Sequence, residues 1–106
     1  MRMMMRVAIP TETGNAAVKA GTLGTTIQKI LTEQKPEAVY FYADDHGQRC
    51  GSLIVDMTDP SQLPIFAEPW FLAFNAQVTA RPVMTPEDLA KAGPAMGKIA
   101  KQYGKK

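Results

Sequence analysis

The sequence predicts an α+β sandwich, an antiparallel four-stranded sheet with its helices on one face. Three observations predict it. Glu37-Ala-Val-Tyr-Phe-Tyr-Ala43 and Arg49-Cys-Gly-Ser-Leu-Ile-Val-Asp-Met57 are rich in β-branched and aromatic residues, and the polar gap Asp44-Asp45-His46-Gly47-Gln48 between them suits a hairpin turn. Amphipathic stretches at helical spacing lie on both sides of that hairpin. A short extended segment stands outside each, so the order is strand, helix, strand, strand, helix, strand, then one more helix.

Met3 to Ile9 makes the first strand, ended by Pro10 and the turn-rich Thr11-Glu12-Thr13-Gly14-Asn15. Asn15 is placed to cap the helix that follows. In that helix Ala16, Ala20, Leu23, Ile27, Ile30 and Leu31 form one apolar stripe. Gly21 and Gly24 fall inside it at up to about 1 kcal/mol each relative to alanine, and close packing is the expected reason for them. Lys35-Pro36 stops the helix before the hairpin.

Asp59-Pro60-Ser61-Gln62 opens the next helix, with Asp at the N-cap and Pro at the first position. Leu63, Phe66, Ala67, Trp70, Phe71 and Phe74 make its apolar face. Pro69 removes the bond to the Ile65 carbonyl and is expected to bend or end the helix. Ala76 to Val83 makes the fourth strand. Thr85 then caps a last helix whose first turn holds Glu87 and Asp88. Leu89, Met96, Ile99 and Tyr103 are the residues expected to dock it, and Gly93-Pro94 is expected to split it.

This order is the ferredoxin-like βαββαβ arrangement, here in a single domain, 1–106, with a C-terminal helical extension over 86–103. Alternation sorts the two faces of the sheet. Met5, Val7 and Ile9, Val39 and Phe41, Leu53, Val55 and Met57, and Ala76, Val78 and Ala80 belong beneath the helices. The opposite face receives Met4, Arg6, Tyr40, Tyr42, Cys50, Ser52, Ile54, Asp56, Gln77, Thr79 and Arg81. Tyrosines and arginines beside isolated apolar residues suit an interface.

A chain of 106 residues suits one domain. At that size roughly 65% of the unfolded surface is buried, so a partner covering the open face would add needed stability. The net charge of +2 is too slight to call for nucleic acid or an anionic membrane. Lys91, Lys98, Lys101, Lys105 and Lys106 read as a solvated helix face and tail. The one cysteine, Cys50, rules out an intramolecular disulfide and any CxxC motif and fits a reducing cytoplasm. The N-terminal segment has no extended apolar region or cleavage site, and no run is long enough to cross a bilayer. A soluble, cytoplasmic protein is expected.

Pro36-Glu-Ala-Val-Tyr-Phe41, Asp59-Pro-Ser-Gln62, Ala67-Glu-Pro-Trp-Phe-Leu-Ala-Phe-Asn75 and Val83-Met-Thr-Pro-Glu-Asp-Leu89 carry a resemblance. With the element order, they make the chain resemble the dimeric α+β-barrel superfamily, in which two ferredoxin-like sheets face each other. More closely, it is similar to a group of short bacterial proteins of unknown function. The resemblance spans nearly the whole chain and implies a homodimer through the open sheet face, without supplying a reaction. It also implies a ligand pocket between sheet and helices or inside the barrel.

Few residues point to chemistry. Tyr40 and Tyr42 share the open face with Arg6, Arg81 and Asp56, where phenols and arginines can orient a carboxylate or serve the dimer interface. Trp70, with Phe66, Phe71 and Phe74, can wall an apolar pocket or simply fill the core. Glu68 misses the apolar stripe, although a bend at Pro69 can turn it toward a cleft. His46, the lone histidine, reads as part of the turn, and nothing at suitable spacing completes a zinc site. Cys50 has Arg49 beside it, but neighbours on a strand point to opposite faces, and an inert thiol is expected.

The expected function is binding, with or without transforming, a small aromatic or acidic organic molecule, with Tyr40, Tyr42, Trp70, Arg81, Arg6 and Asp56 as candidate contacts and no cofactor. The alternative is a catalytically silent dimeric interaction module. Haem-degrading and quinone-forming monooxygenases of the superfamily use a first-strand asparagine, a helix tryptophan and a helix histidine, and only Trp70 has a counterpart here. RNA binding in the RRM manner needs aromatics on the first and third strands, which contain none.

Overall fold

Alternation along the first strand decides which side of the sheet becomes core. The computed structural model describes residues 1–104, which leaves Lys105 and Lys106 outside the described residues. β1 (Arg2–Ile9) leads into α1 (Thr11–Ala20) and α2 (Leu23–Gln34), then β2 (Ala38–Ala43) and β3 (Arg49–Asp56) form the hairpin. α3 (Gln62–Phe74), β4 (Gln77–Pro82) and α4 (Pro86–Tyr103) follow. The strands lie in the order β2-β3-β1-β4 with every neighbour antiparallel. The ferredoxin-like α+β arrangement is therefore present.

The register carries the predicted parity across the whole sheet. Met5 stands opposite Leu53 on one side and Ala80 on the other, and Leu53 in turn opposite Val39. Met5, Val7, Leu53 and Val55 join Ile30 of α2 and Trp70 and Phe74 of α3 in the buried core. The Trp70 and Phe74 rings stack with centroids 6.2 Å apart. Both elements bury the faces their spacing assigned them, although Leu63 and Phe71 of α3 stay substantially exposed.

The helix expected to begin at Asn15 and run unbroken is instead two helices. α1 starts directly after Pro10, because a proline just before the first turn withholds only an N–H that would be unpaired anyway. Asn15 is thus inside α1 rather than capping it. Gly21 ends α1 at φ 73°, where its N–H reaches the Val18 carbonyl, while the Thr22 N–H reaches Ala17. That left-handed turn is open to glycine without steric cost. The reason for Gly21 is this turn, and Gly24 has open space where a side chain would stand, so neither serves close packing. The break rotates α1 so that Gly14 and Ala17 face inward while Ala16 and Ala20 are exposed.

Two further expectations change. Asp59 does not cap α3. Its carboxylate accepts the Ser61 N–H at 2.8 Å, Gln62 accepts the Thr58 N–H at 2.7 Å, and Ser61 holds the cap position. Pro69 does not end α3, which continues to Phe74 and stops at left-handed Asn75.

α4 is continuous through Gly93-Pro94 and buries no side chain. Pro94 leaves the Ala90 carbonyl without a helical donor, but α4 lies in solvent from Gly93 onward, where water supplies one. Leu89, Met96, Ile99 and Tyr103 do not dock and are 49%, 53%, 52% and 81% exposed. The chain measures 61 × 28 × 21 Å with a radius of gyration of 18.0 Å, against about 13 Å for a compact chain this long. No helix among the described residues is long and apolar enough to cross a membrane.

Candidate functional site

The sheet separates the sequence-predicted site residues into two groups. On the open face, Cys50 stands between Ala8 and Tyr42, and Ser52 between Arg6 and Tyr40. The Tyr42 hydroxyl shares a hydrogen bond with the Ser52 hydroxyl, its diagonal neighbour. Arg6 stands diagonal to Cys50 in the register, and the Cys50 sulfur first, then Tyr42 and Asp44, hold its guanidinium above the ordinary arginine range. Arg6, Tyr42 and Tyr40 thus form one polar group.

The other candidates lie apart. Arg81 is across from Met4, one step farther along the sheet. Asp56, at the end of β3, accepts from the N-terminal amine at 2.8 Å. Trp70 is on the opposite side, in the core. Its indole N–H donates to Gln34 Oε1 at 3.2 Å, and Gln34 Nε2 donates to the Phe66 carbonyl at 2.7 Å. Trp70, Tyr40 and Arg81 do not border one pocket, because the sheet stands between them.

The hairpin tip is built by Asp44, whose carboxylate accepts the His46 N–H at 2.9 Å and the Gln48 N–H at 3.0 Å. Those donors, the Gln48 N–H foremost, hold the Asp44 carboxyl below its usual range. Gly47 completes the turn at φ 74°. His46 accordingly takes part through its backbone. No three His, Cys, Asp or Glu side chains among the described residues come together as a metal would require.

A cavity of about 390 Å³ opens on the helix side, under α2 and beside the hairpin. Its floor is the core face of the sheet, from Val7, Ile9, Gly51 and Leu53, and Leu23 and Ile27 of α2 roof it. Phe41 of the edge strand, 55% exposed, forms the outer wall, and Trp70 closes the inner end. Gly51 sets the position of Phe41. A Cβ there would stand 3.0 Å from two Phe41 ring carbons, so the missing side chain lets the ring lie close over β3. The hairpin tip, through Ala43 and Gly47, and the half-buried Arg49 complete the rim. Tyr42 and Cys50 also border the cavity, so that of the sequence-predicted candidates Tyr42 and Trp70 both line it.

Arg49 crosses from β3 to α1. One guanidinium nitrogen donates to Asn15 Oδ1 at 3.0 Å. A Cβ on Gly14 would stand 2.6 Å from that nitrogen, so the guanidinium occupies space that glycine leaves free. No carboxylate among the described residues pairs with Arg49. The arrangement provides an apolar chamber with one fixed cation at its edge. That suits binding.

A second, smaller cavity, about 300 Å³, lies between α3 and β4 and is lined by Leu63, Ala67, Phe71, Val78 and Ala80, with Glu68 at its edge. Glu68, exposed and off the apolar stripe, does face a cleft.

Arg49, Phe41, Leu23 and Ile27 were not among the predicted site residues. Parity had already put Phe41 on the helix side, and the α2 stripe held Leu23 and Ile27. No signal in the sequence showed that α2 would leave the β2 edge uncovered.

No family model and no curated protein matches the chain. Among solved structures, the regulatory subunit of aspartate kinase from Thermus flavus is similar at 18% identity and a TM-score of 0.48, over 92% of this chain and 69% of that one. A formyltetrahydrofolate deformylase from Pseudomonas putida KT2440 is similar at 14% identity and a TM-score of 0.47, over 78% of this chain. The match spans 29% of the deformylase's length. Neither likeness bears on what this chain binds.

Proposed function

We propose that the chain binds a small organic molecule in the cavity between α2 and the helix side of the sheet, and that it does so as a cytoplasmic homodimer. The observation that carries the binding reading is the cavity itself. Its volume, about 390 Å³, falls within the range of about 300–1,000 Å³ found for ligand pockets, and apolar walls with one convergent polar group are what such pockets offer.

The homodimer reading draws on the open face. Tyr40 is 70% and Tyr42 41% exposed there, beside half-exposed Met4 and Ile54. A sheet with helices on one side leaves its other side to be covered, and a second copy presents the same surface. Cys50, buried and unpaired, suits a reducing compartment.

The test is a thermal-shift titration with a panel of aromatic acids, quinones and haem, read together with Trp70 emission. A binder raises the melting temperature with dose, by the equivalent of about 2.7 kcal/mol at a hundred times its Kd. It also changes the emission of the one tryptophan, at the closed end of the cavity, along the same curve. A panel in which nothing moves either signal favours the silent dimer.

A further inference from the structure

We propose that the ligand of this cavity is a small amphipathic carboxylic acid: its apolar body lies against Phe41, Leu23 and Ile27, and its carboxylate is received by Arg49. The inference rests on reading the cavity as a binding site and goes further by naming the chemistry that site selects.

The polar groups on the cavity wall narrow to one. Trp70 spends its N–H on Gln34 and offers the chamber only ring. Tyr42 carries its hydroxyl to Ser52, on the other face of the sheet. Cys50 shares that face by parity, and its sulfur lies beside Arg6. Arg49 is the charged side chain among the residues lining the cavity.

Its charge is also available. Arg49 makes no ion pair among the described residues. It gives one hydrogen bond to the neutral amide oxygen of Asn15, while a guanidinium carries five N–H donors in a planar fork. A carboxylate matches that fork by accepting two parallel bonds.

The guanidinium is held before any ligand arrives. Asn15 fixes one nitrogen, and Gly14 leaves the space the group occupies. A side chain already ordered loses less freedom on binding, which favours the acid over a neutral body of the same shape.

The test is calorimetric titration of phenylacetate and 3-phenylpropionate, each against its primary amide, into the wild-type protein and Arg49→Met. The amide keeps the apolar body and removes the charge. The wild type should bind each acid about tenfold or more tighter than its amide, as a charge-assisted pair in a half-buried site implies. In Arg49→Met that preference should vanish, because acid affinity falls far more than amide affinity. Gly14→Ala, which displaces the guanidinium and leaves its charge in place, should weaken the acids more than the amides. Equal binding of acid and amide by the wild type, or equal loss of both in Arg49→Met, overturns the acid preference and leaves the cavity reading standing. If neither acid nor amide binds at millimolar concentration, the cavity reading falls, and the acid preference with it.

Discussion

Arg49 donates to Asn15 across 3.0 Å, tying the start of β3 to the middle of α1. The bond exists because α1 begins four residues before Asn15, at Thr11, and turns the Asn15 amide over the end of the hairpin. Gly14, buried beside it, leaves the space in which the guanidinium lies. One cation is thereby fixed at the rim of an apolar chamber.

Gly14→Ala separates stability from this positioning. Alanine in a helix interior is favoured over glycine by up to about 1 kcal/mol. The new Cβ would meet the Arg49 guanidinium at 2.6 Å, and that is the flexible end of a half-buried side chain. The guanidinium gives way and the backbone stays. The denaturation midpoint should be unchanged or slightly higher, while acid binding weakens. An unfolding free energy lowered by more than about 1 kcal/mol would mean that Arg49 is held too firmly to yield.

Phe41 and Trp70 differ in role although both border the cavity. Trp70 is 1% exposed within the core, and Phe41 is 55% exposed at the sheet edge. Trp70→Ala should cost about 3–5 kcal/mol in urea unfolding, as deletion of a buried aromatic does. Phe41→Ala should cost about 1 kcal/mol, because much of the ring already faces water. Its larger effect should be on ligand affinity. A Phe41→Ala variant as unstable as Trp70→Ala would place that ring in the core instead of the cavity wall.

Tyr42→Glu tests the second copy. The substitution removes the hydroxyl bonded to Ser52 and sets a carboxylate on the open face. A charge in a packed contact is costly unless paired, though Arg6 lies close by. Sedimentation equilibrium should show a weaker self-association constant for the variant at unchanged circular dichroism. An equally tight dimer would put the contact on some other surface.

Parity was legible in the sequence because a strand's period of two leaves little choice of face once one side is apolar. Met5, Val7, Leu53 and Val55 stand in the core as read, and Tyr40, Tyr42, Arg6, Cys50 and Ser52 share the open face through the register. The start of α1 was not legible. Thr11-Glu12-Thr13-Gly14-Asn15 has the composition of a turn, yet it is helical, and the residue its buried Gly14 packs against, Arg49, lies far along the chain. Arg49 was weighed as a neighbour of Cys50, yet adjacent strand residues face opposite ways, so its partner lay on α1 all along. The cavity was illegible for a related reason. It is a gap left where α2 stops short of covering β2, and the apolar stripe of α2 looks the same whether it meets sheet or empty space.

Acid should loosen the hairpin tip before the sheet. The Gln48 N–H first, then the His46 N–H, hold the Asp44 carboxyl below its usual value. A depressed carboxylate contributes stability that is fully present above its unfolded pKa, about 3.9, and is lost as pH falls through the lower folded value. The stability gap between wild type and Asp44→Asn should be constant from pH 7 to about pH 5 and close below about pH 4. Urea midpoints across that range measure it, and a gap that widens on acidification would reverse the sign argued here.

Thr85→Ala should act on α4 alone. Thr85 accepts the Asp88 N–H at 3.1 Å, and Asp88 returns a bond from the Thr85 N–H at 3.0 Å, which closes a capping box. Losing such a cap costs about 1 kcal/mol, but α4 buries no side chain, so its fraying exposes almost no core. Hydrogen exchange should therefore speed up through the first turns of α4 while Met5, Leu53 and Val55 keep their protection. The global unfolding free energy should hold within about 0.5 kcal/mol, the usual range for a surface change. A larger fall, growing as the protein is diluted, would show that Leu89, Met96 and Ile99 are buried against a second molecule in solution.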